Sequence, residues 1–135
     1  MRLVLRRGSF FSLLLALTLP LAACDSGGSD SGSNFIGDWE VVSSEGAFDV
    51  GNVWTIARGR VTIRDVGTTC SRNTYTVQNI DGNTLTFESD GDVVVSFEGS
   101  GDEITATIEQ APSSTQWQNS DKAMLQATDN VPDCD

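Results

Sequence analysis

The sequence predicts an all-β domain: a small eight-stranded antiparallel up-and-down barrel, placed after an export leader and a flexible tether. Three observations predict it. Eight short segments alternate apolar and polar residues, turn-forming Gly, Asn and Asp separate most of them, and none holds a sustained helical period. One apolar and one wet face, repeated eight times, suits a sheet closed on itself, which also removes exposed edges. A two-sheet sandwich built from the same strands has the same periodicity and is the alternative.

Residues 1–23 read as an export leader. Arg2, Arg6 and Arg7 precede an apolar run from Phe10 to Leu21, and small Ala22 and Ala23 follow. That run is shorter than the ~20 residues a membrane-spanning helix requires. Leu21-Ala22-Ala23-Cys24 resembles the bacterial lipobox. The resemblance implies cleavage before Cys24 and acylation of its thiol and new amino terminus, palmitate being the usual chain. Several chains are needed because one alone anchors only marginally, at about 0.8 kcal/mol per buried CH₂. A lipid-anchored place in the cell envelope follows, at the outer membrane or cell surface. Asp25, however, would mean inner-membrane retention under the enterobacterial sorting rule.

Residues 24–34 comprise this cysteine and the string "DSGGSDSGSN", which has no apolar residue and cannot offset the cost of ordering its backbone. It is expected to act as a tether with a reach of about 15–20 Å. Residues 35–135 form the domain. The expected strands are 36–43, 52–57, 59–65, 72–78, 83–89, 92–99, 102–110 and 122–129, with tight turns at 81–83, 89–92 and 99–102. Alternation points Trp39/Val41, Trp54/Ile56, Val61/Ile63, Tyr75/Val77, Leu85/Phe87, Val93/Val95/Phe97, Ile104/Ala106/Ile108 and Leu125 inward.

With Cys24 acylated, Cys70 and Cys134 remain, a pairable number in an oxidising compartment. Their bridge would be worth roughly 4 kcal/mol in the chain-entropy account. Two free thiols are the alternative.

The first strand carries Gly37-Asp38-Trp39, which resembles the G-x-W signature of lipocalins and of the shorter lipocalin-like domains of bacterial lipoproteins. That resemblance implies that Trp39 plugs the barrel floor and Gly37 gives the chain room to enter. It further implies a long basic side chain packed across the Trp, for which the last strand offers Lys122 and Gln126. A disulfide from the tail to a mid-barrel strand, the part open to Cys70 and Cys134, also fits the family. A small apolar ligand would then meet Trp54, Tyr75 and Phe97 on the walls, with Phe48 and Trp117 in the loops above. A core filled by these same rings is the alternative, and an interaction module of the envelope, inhibitor or assembly accessory, is its functional counterpart.

Composition narrows the chemistry. Leader cleavage leaves five of the eight basic residues against all 19 acidic ones, a net charge near −14 that disfavours nucleic acid. The chain has no histidine, which removes Ser-His and Cys-His nucleophile pairs and the common zinc sites. "SDGD" and "GSGD" lack the ligand spacing of a calcium loop, so no metal or cofactor is expected and the chain reads as a non-enzyme. Arg60 and Arg64 share one outer strand face, with Arg58 before them and Arg72 soon after. Such a stripe suits a carboxylate-bearing partner or surface ion pairs.

Overall fold

The computed structural model describes residues 34–134; the leader, Cys24 and the tether as far as Ser33 fall outside the described residues. It is the predicted barrel. The strands are β1 (Gly37–Glu45), β2 (Val53–Ile56), β3 (Arg60–Asp65), β4 (Ser71–Asp81), β5 (Thr84–Glu88), β6 (Asp92–Ser100), β7 (Glu103–Gln110) and β8 (Lys122–Ala127). Each pairs antiparallel with the next, and β1 pairs with β8 to close the sheet. Closure rules out the sandwich.

Period-two burial follows from the pleat. Trp39, Val41, Trp54, Ile56, Val61, Ile63, Leu85, Phe87 and the inward sets of β6, β7 and β8 are all buried in one cluster. Tyr75 and Val77 of β4 are only half-buried against it. Bulges between Val41 and Ser43, Val77 and Asn79, and Val94 and Val95 bend the wall, as small barrels require. The β4–β5 turn uses Gly82 at φ 59°, in the left-handed region where a side chain is disfavoured.

The floor is built around Trp39, but not with a basic side chain across it. Lys122 starts β8 at the far end and Gln126 points out to solvent. Instead Phe35, fully buried, accepts the Trp39 indole N–H on its carbonyl oxygen at 2.8 Å and stacks its ring on Phe97 with centroids 4.4 Å apart. The first two described residues are thereby sewn to the end of β6, where Asn34 also donates to the Gly99 carbonyl.

Cys70 and Cys134 are bonded, with Cα atoms 5.0 Å apart and a sequence separation of 64. The tail leaves β8 beside β1, where Thr128 donates to the Asp38 carbonyl, and must reach the start of β4. The short route crosses the outside of β1, β2 and β3, about 14 Å at the ordinary strand spacing. Burial agrees with that route. Val53 and Thr62 point outward by register, yet both are buried, and Val53 and Cys134 lie outside the main core cluster. The tail is therefore a strap over one wall, with Val131 and Pro132 half-buried along it.

Replacing Cys70 and Cys134 together by serine is expected to lower the unfolding free energy by about 4 kcal/mol. Urea denaturation checks this, and faster amide exchange in β2 and β3 should accompany the loss of the strap.

Candidate functional site

Opposite the floor, the barrel mouth carries a continuous aromatic cluster. Trp54 from β2, Tyr75 from β4 and Phe87 from β5 rise from the wall, while Phe48 and Trp117 descend from the β1–β2 and β7–β8 loops. Trp117 meets Phe87, Tyr75 and Trp54 edge-on at centroid distances of 5.5, 5.6 and 6.4 Å. Phe48 tilts against Trp54 at 5.3 Å, and Tyr75 against Phe87 at the same distance. Such separations and tilts are those of packed aromatic pairs. Trp54, Phe48 and Trp117 are 2%, 4% and 3% exposed, so no open cup is left above them.

Four of the five residues assigned to a ligand by the sequence, Trp54, Tyr75, Phe48 and Trp117, are thus brought together. Phe97 is not among them, since it belongs to the floor with Phe35. Phe87, assigned only to the core, joins the four.

One carboxylate holds the two loops that supply the cover. Asp121 accepts from the Ala47 N–H at 3.2 Å and from the Gln118 N–H at 2.9 Å. It therefore bridges the residue before Phe48 and the residue after Trp117. Gly46 makes this approach possible, because a Cβ there would collide with the Asp121 carboxylate. Nothing in the sequence pattern marks Asp121, a polar residue in a polar loop. The β7–β8 loop is further braced by Asn119 accepting from the Ala111 N–H and Thr115 donating to the Pro112 carbonyl.

Two recesses are described on the outside of the molecule. One, about 540 Å³, lies below the floor between Asn34, Asp38, Gly101 and Asp129, where the chain enters the barrel. The other, about 170 Å³, lies on the outer wall of β1 and β8 between Ser43, Thr105 and Met124. Among the described residues no group of three His, Cys, Asp or Glu side chains is placed to hold a metal ion.

The outer wall of β3 and β4 gathers the arginines. Arg64 lies directly opposite Arg72. Arg64 donates to the Thr55 hydroxyl at 2.7 Å, which in turn donates to Asp38 at 2.6 Å, so its guanidinium is oriented through a neutral relay. Arg60 and Arg72 are exposed. Like charges directly opposite in an antiparallel pair destabilise it.

No family model, curated protein or solved structure matches this chain. Fold and site alone therefore define its class: a small antiparallel β-barrel with an aromatic-filled mouth and a disulfide-strapped outer wall.

Two outcomes test the packing of the mouth. Burial raises the Tyr75 pKa above its ordinary 10.0 by desolvating the phenolate. As the single tyrosine, Tyr75 gives a clean ultraviolet titration, expected to have its midpoint above 10.0 when folded and to fall back in urea. Its contribution to stability is fully present below the unfolded value and is lost as pH rises through the folded one. Trp117→Ala is expected to cost about 3–5 kcal/mol in denaturant unfolding, as for a core aromatic. A loss well under that would mark Trp117 as a loose lid.

Proposed function

We propose that this chain is a lipid-anchored, lipocalin-like barrel of the cell envelope, serving as a binding module that meets its partner on its outer wall. The filled interior carries this reading. Eight-stranded barrels of this size either hold one small guest or are filled by their own side chains. Here Trp54, Phe87 and Trp117 occupy the mouth, and Phe35, Trp39 and Phe97 occupy the floor. With the interior taken, specificity has to come from surface residues. The lipobox-like Leu21-Ala22-Ala23-Cys24 and the following string supply the anchor and tether, as expected from the sequence. Catalysis is not part of the proposal, because the chain has no histidine and its acidic residues fall largely in turns and on the wet face.

A second reading is favoured by the Asp121 bridge. Phe48 and Trp117 both come from loops, and one carboxylate ties them together. Release of that bridge would open the mouth to a small apolar molecule lying against Trp54 and Tyr75.

Solvent extraction of the purified chain followed by mass spectrometry separates the two. The outer-wall reading expects no apolar compound at stoichiometric yield; recovery of one would move the assignment to the mouth. Metabolic palmitate labelling is expected in the wild-type chain and lost in Cys24→Ser, and labelling that persists in the variant would remove the anchor.

A further inference from the structure

We infer that the outer face of β3–β4 is the docking surface for an extended acidic peptide segment, which adds as a strand to the free edge of β4 and presents carboxylates to Arg72 and Arg60. The inference rests on the outer-wall reading above and names the chemistry of its partner.

The first observation is an open edge. β4 runs eleven residues from Ser71 to Asp81, but β5 has only five. β4 pairs with β3 from Ser71 to Thr76, and with β5 only from Val77 downward. The Val77 N–H donates to the Gly59 carbonyl, on the β3 side. Alternation then turns the backbone groups of Ser71, Asn73 and Tyr75 toward β3, and those of Arg72, Thr74 and Thr76 away from it. Because Val77 faces β3, its pairing with Phe87 is non-hydrogen-bonded and leaves the Thr76 carbonyl to the Glu88 N–H of β5; among the described residues, no strand pairs with Arg72 and Thr74 on that side. Arg72 and Thr74 are exposed, so a short stretch of strand edge is left open in an otherwise closed barrel. An extended chain binds such an edge through main-chain hydrogen bonds and gains specificity from alternate side chains.

The second observation is the charge beside that edge. By the same alternation Arg64 and Arg72 form a non-hydrogen-bonded pair, the type that holds side chains closest. Two cationic side chains thus leave the wall side by side in a strongly acidic chain, with the Arg64 guanidinium turned to Thr55 on the β2 side, while Arg60 lies opposite Thr76 just beyond the open edge. Arg64 is fixed through Thr55 and Asp38, and Arg60 and Arg72 make no ion pair among the described residues. A strand laid along Arg72–Thr74 puts every second side chain on the outer face. An acid opposite Arg72 would then pair with it and offset its repulsion from Arg64. An acid near Thr76 would meet Arg60. Basic and apolar segments would gain neither contact.

The test uses the full chain purified in a non-ionic detergent and a fluorescein-labelled peptide of alternating Glu and Thr, followed by anisotropy. Saturable binding is expected, weaker by about tenfold or more for the Gln/Thr peptide and weaker at higher ionic strength. Arg72→Glu should abolish binding while leaving the thermal midpoint unchanged or raised, because it turns a like-charge pair into an opposite one. The Glu/Thr peptide N-methylated at every second residue along its pairing edge keeps its charge and should not bind. Equal binding of the N-methylated peptide, or of the Gln/Thr peptide, would overturn the inference. So would the absence of peptide binding alongside Arg72-dependent binding to phosphatidylglycerol-containing vesicles, which would assign the face to lipid. Extraction and palmitate labelling decide the parent reading independently of this titration.

Discussion

The ladder that joins β1 to β8 pairs Trp39 with Ala127 and Val41 with Leu125, and with it the sheet acquires an inside of fixed volume. Every inward position must then share that volume. In a barrel with strands of four to eleven residues, the contributions of Trp39, Trp54, Phe87 and Phe97 already take much of it. Phe35, Phe48 and Trp117 come from outside the strands and occupy the two ends. Closure also pairs every strand on both sides, which makes the stretch of open edge at the start of β4 stand out chemically.

A filled barrel separates stability from recognition. The interior stabilises the fold through burial, at about 25 cal/mol per Å² of apolar surface, and none of that surface is free for a partner. On the proposed reading, recognition is written on the outer wall, where most side chains are short and polar or acidic. Against that background the arginines of β3 and β4 are the main source of contrast. They are also the residues that the fold has least reason to keep, because Arg64 and Arg72 oppose each other directly.

The architecture was legible in the sequence because a pleated strand has period two, and Trp39/Val41 or Val93/Val95/Phe97 announce their face without help from the rest of the chain. The cysteine pair was legible by count. Features that depend on register or on distant segments were not. Phe35 precedes the first alternating run, so no period assigns it to the floor. β4 reads as seven residues by pattern but extends to eleven, since its two halves pair with different neighbours on either side of a bulge. Val53 and Thr62 look like ordinary outward residues, and the strap that buries them begins more than sixty residues later in the chain. Among the candidate site residues, the four mouth aromatics were legible as large rings near one end. Phe97 lies apart from them because β6 is long enough to carry inward residues from mouth to floor. Asp121 left no signal, since a latch between two loops is defined by a meeting that only closure creates.

The strap and the open edge belong to one arrangement. The tail crosses β1, β2 and β3 and is bonded at Cys70, immediately before β4 begins. Val53 and Thr62 are buried along its route, and the relay from Arg64 through Thr55 to Asp38 belongs to the same outer wall, so that side is partly dry. Lowered solvent access strengthens whatever electrostatic contact Arg64 makes. Across the ladder, the start of β4 is held on one edge only, with Thr62 and Thr74 hydroxyls 3.4 Å apart. A strand fixed along one side and anchored at its start by a disulfide is a prepared template. It need not be ordered by the partner, so the main-chain pairing and the charge contacts would act without first offsetting the cost of shaping the surface.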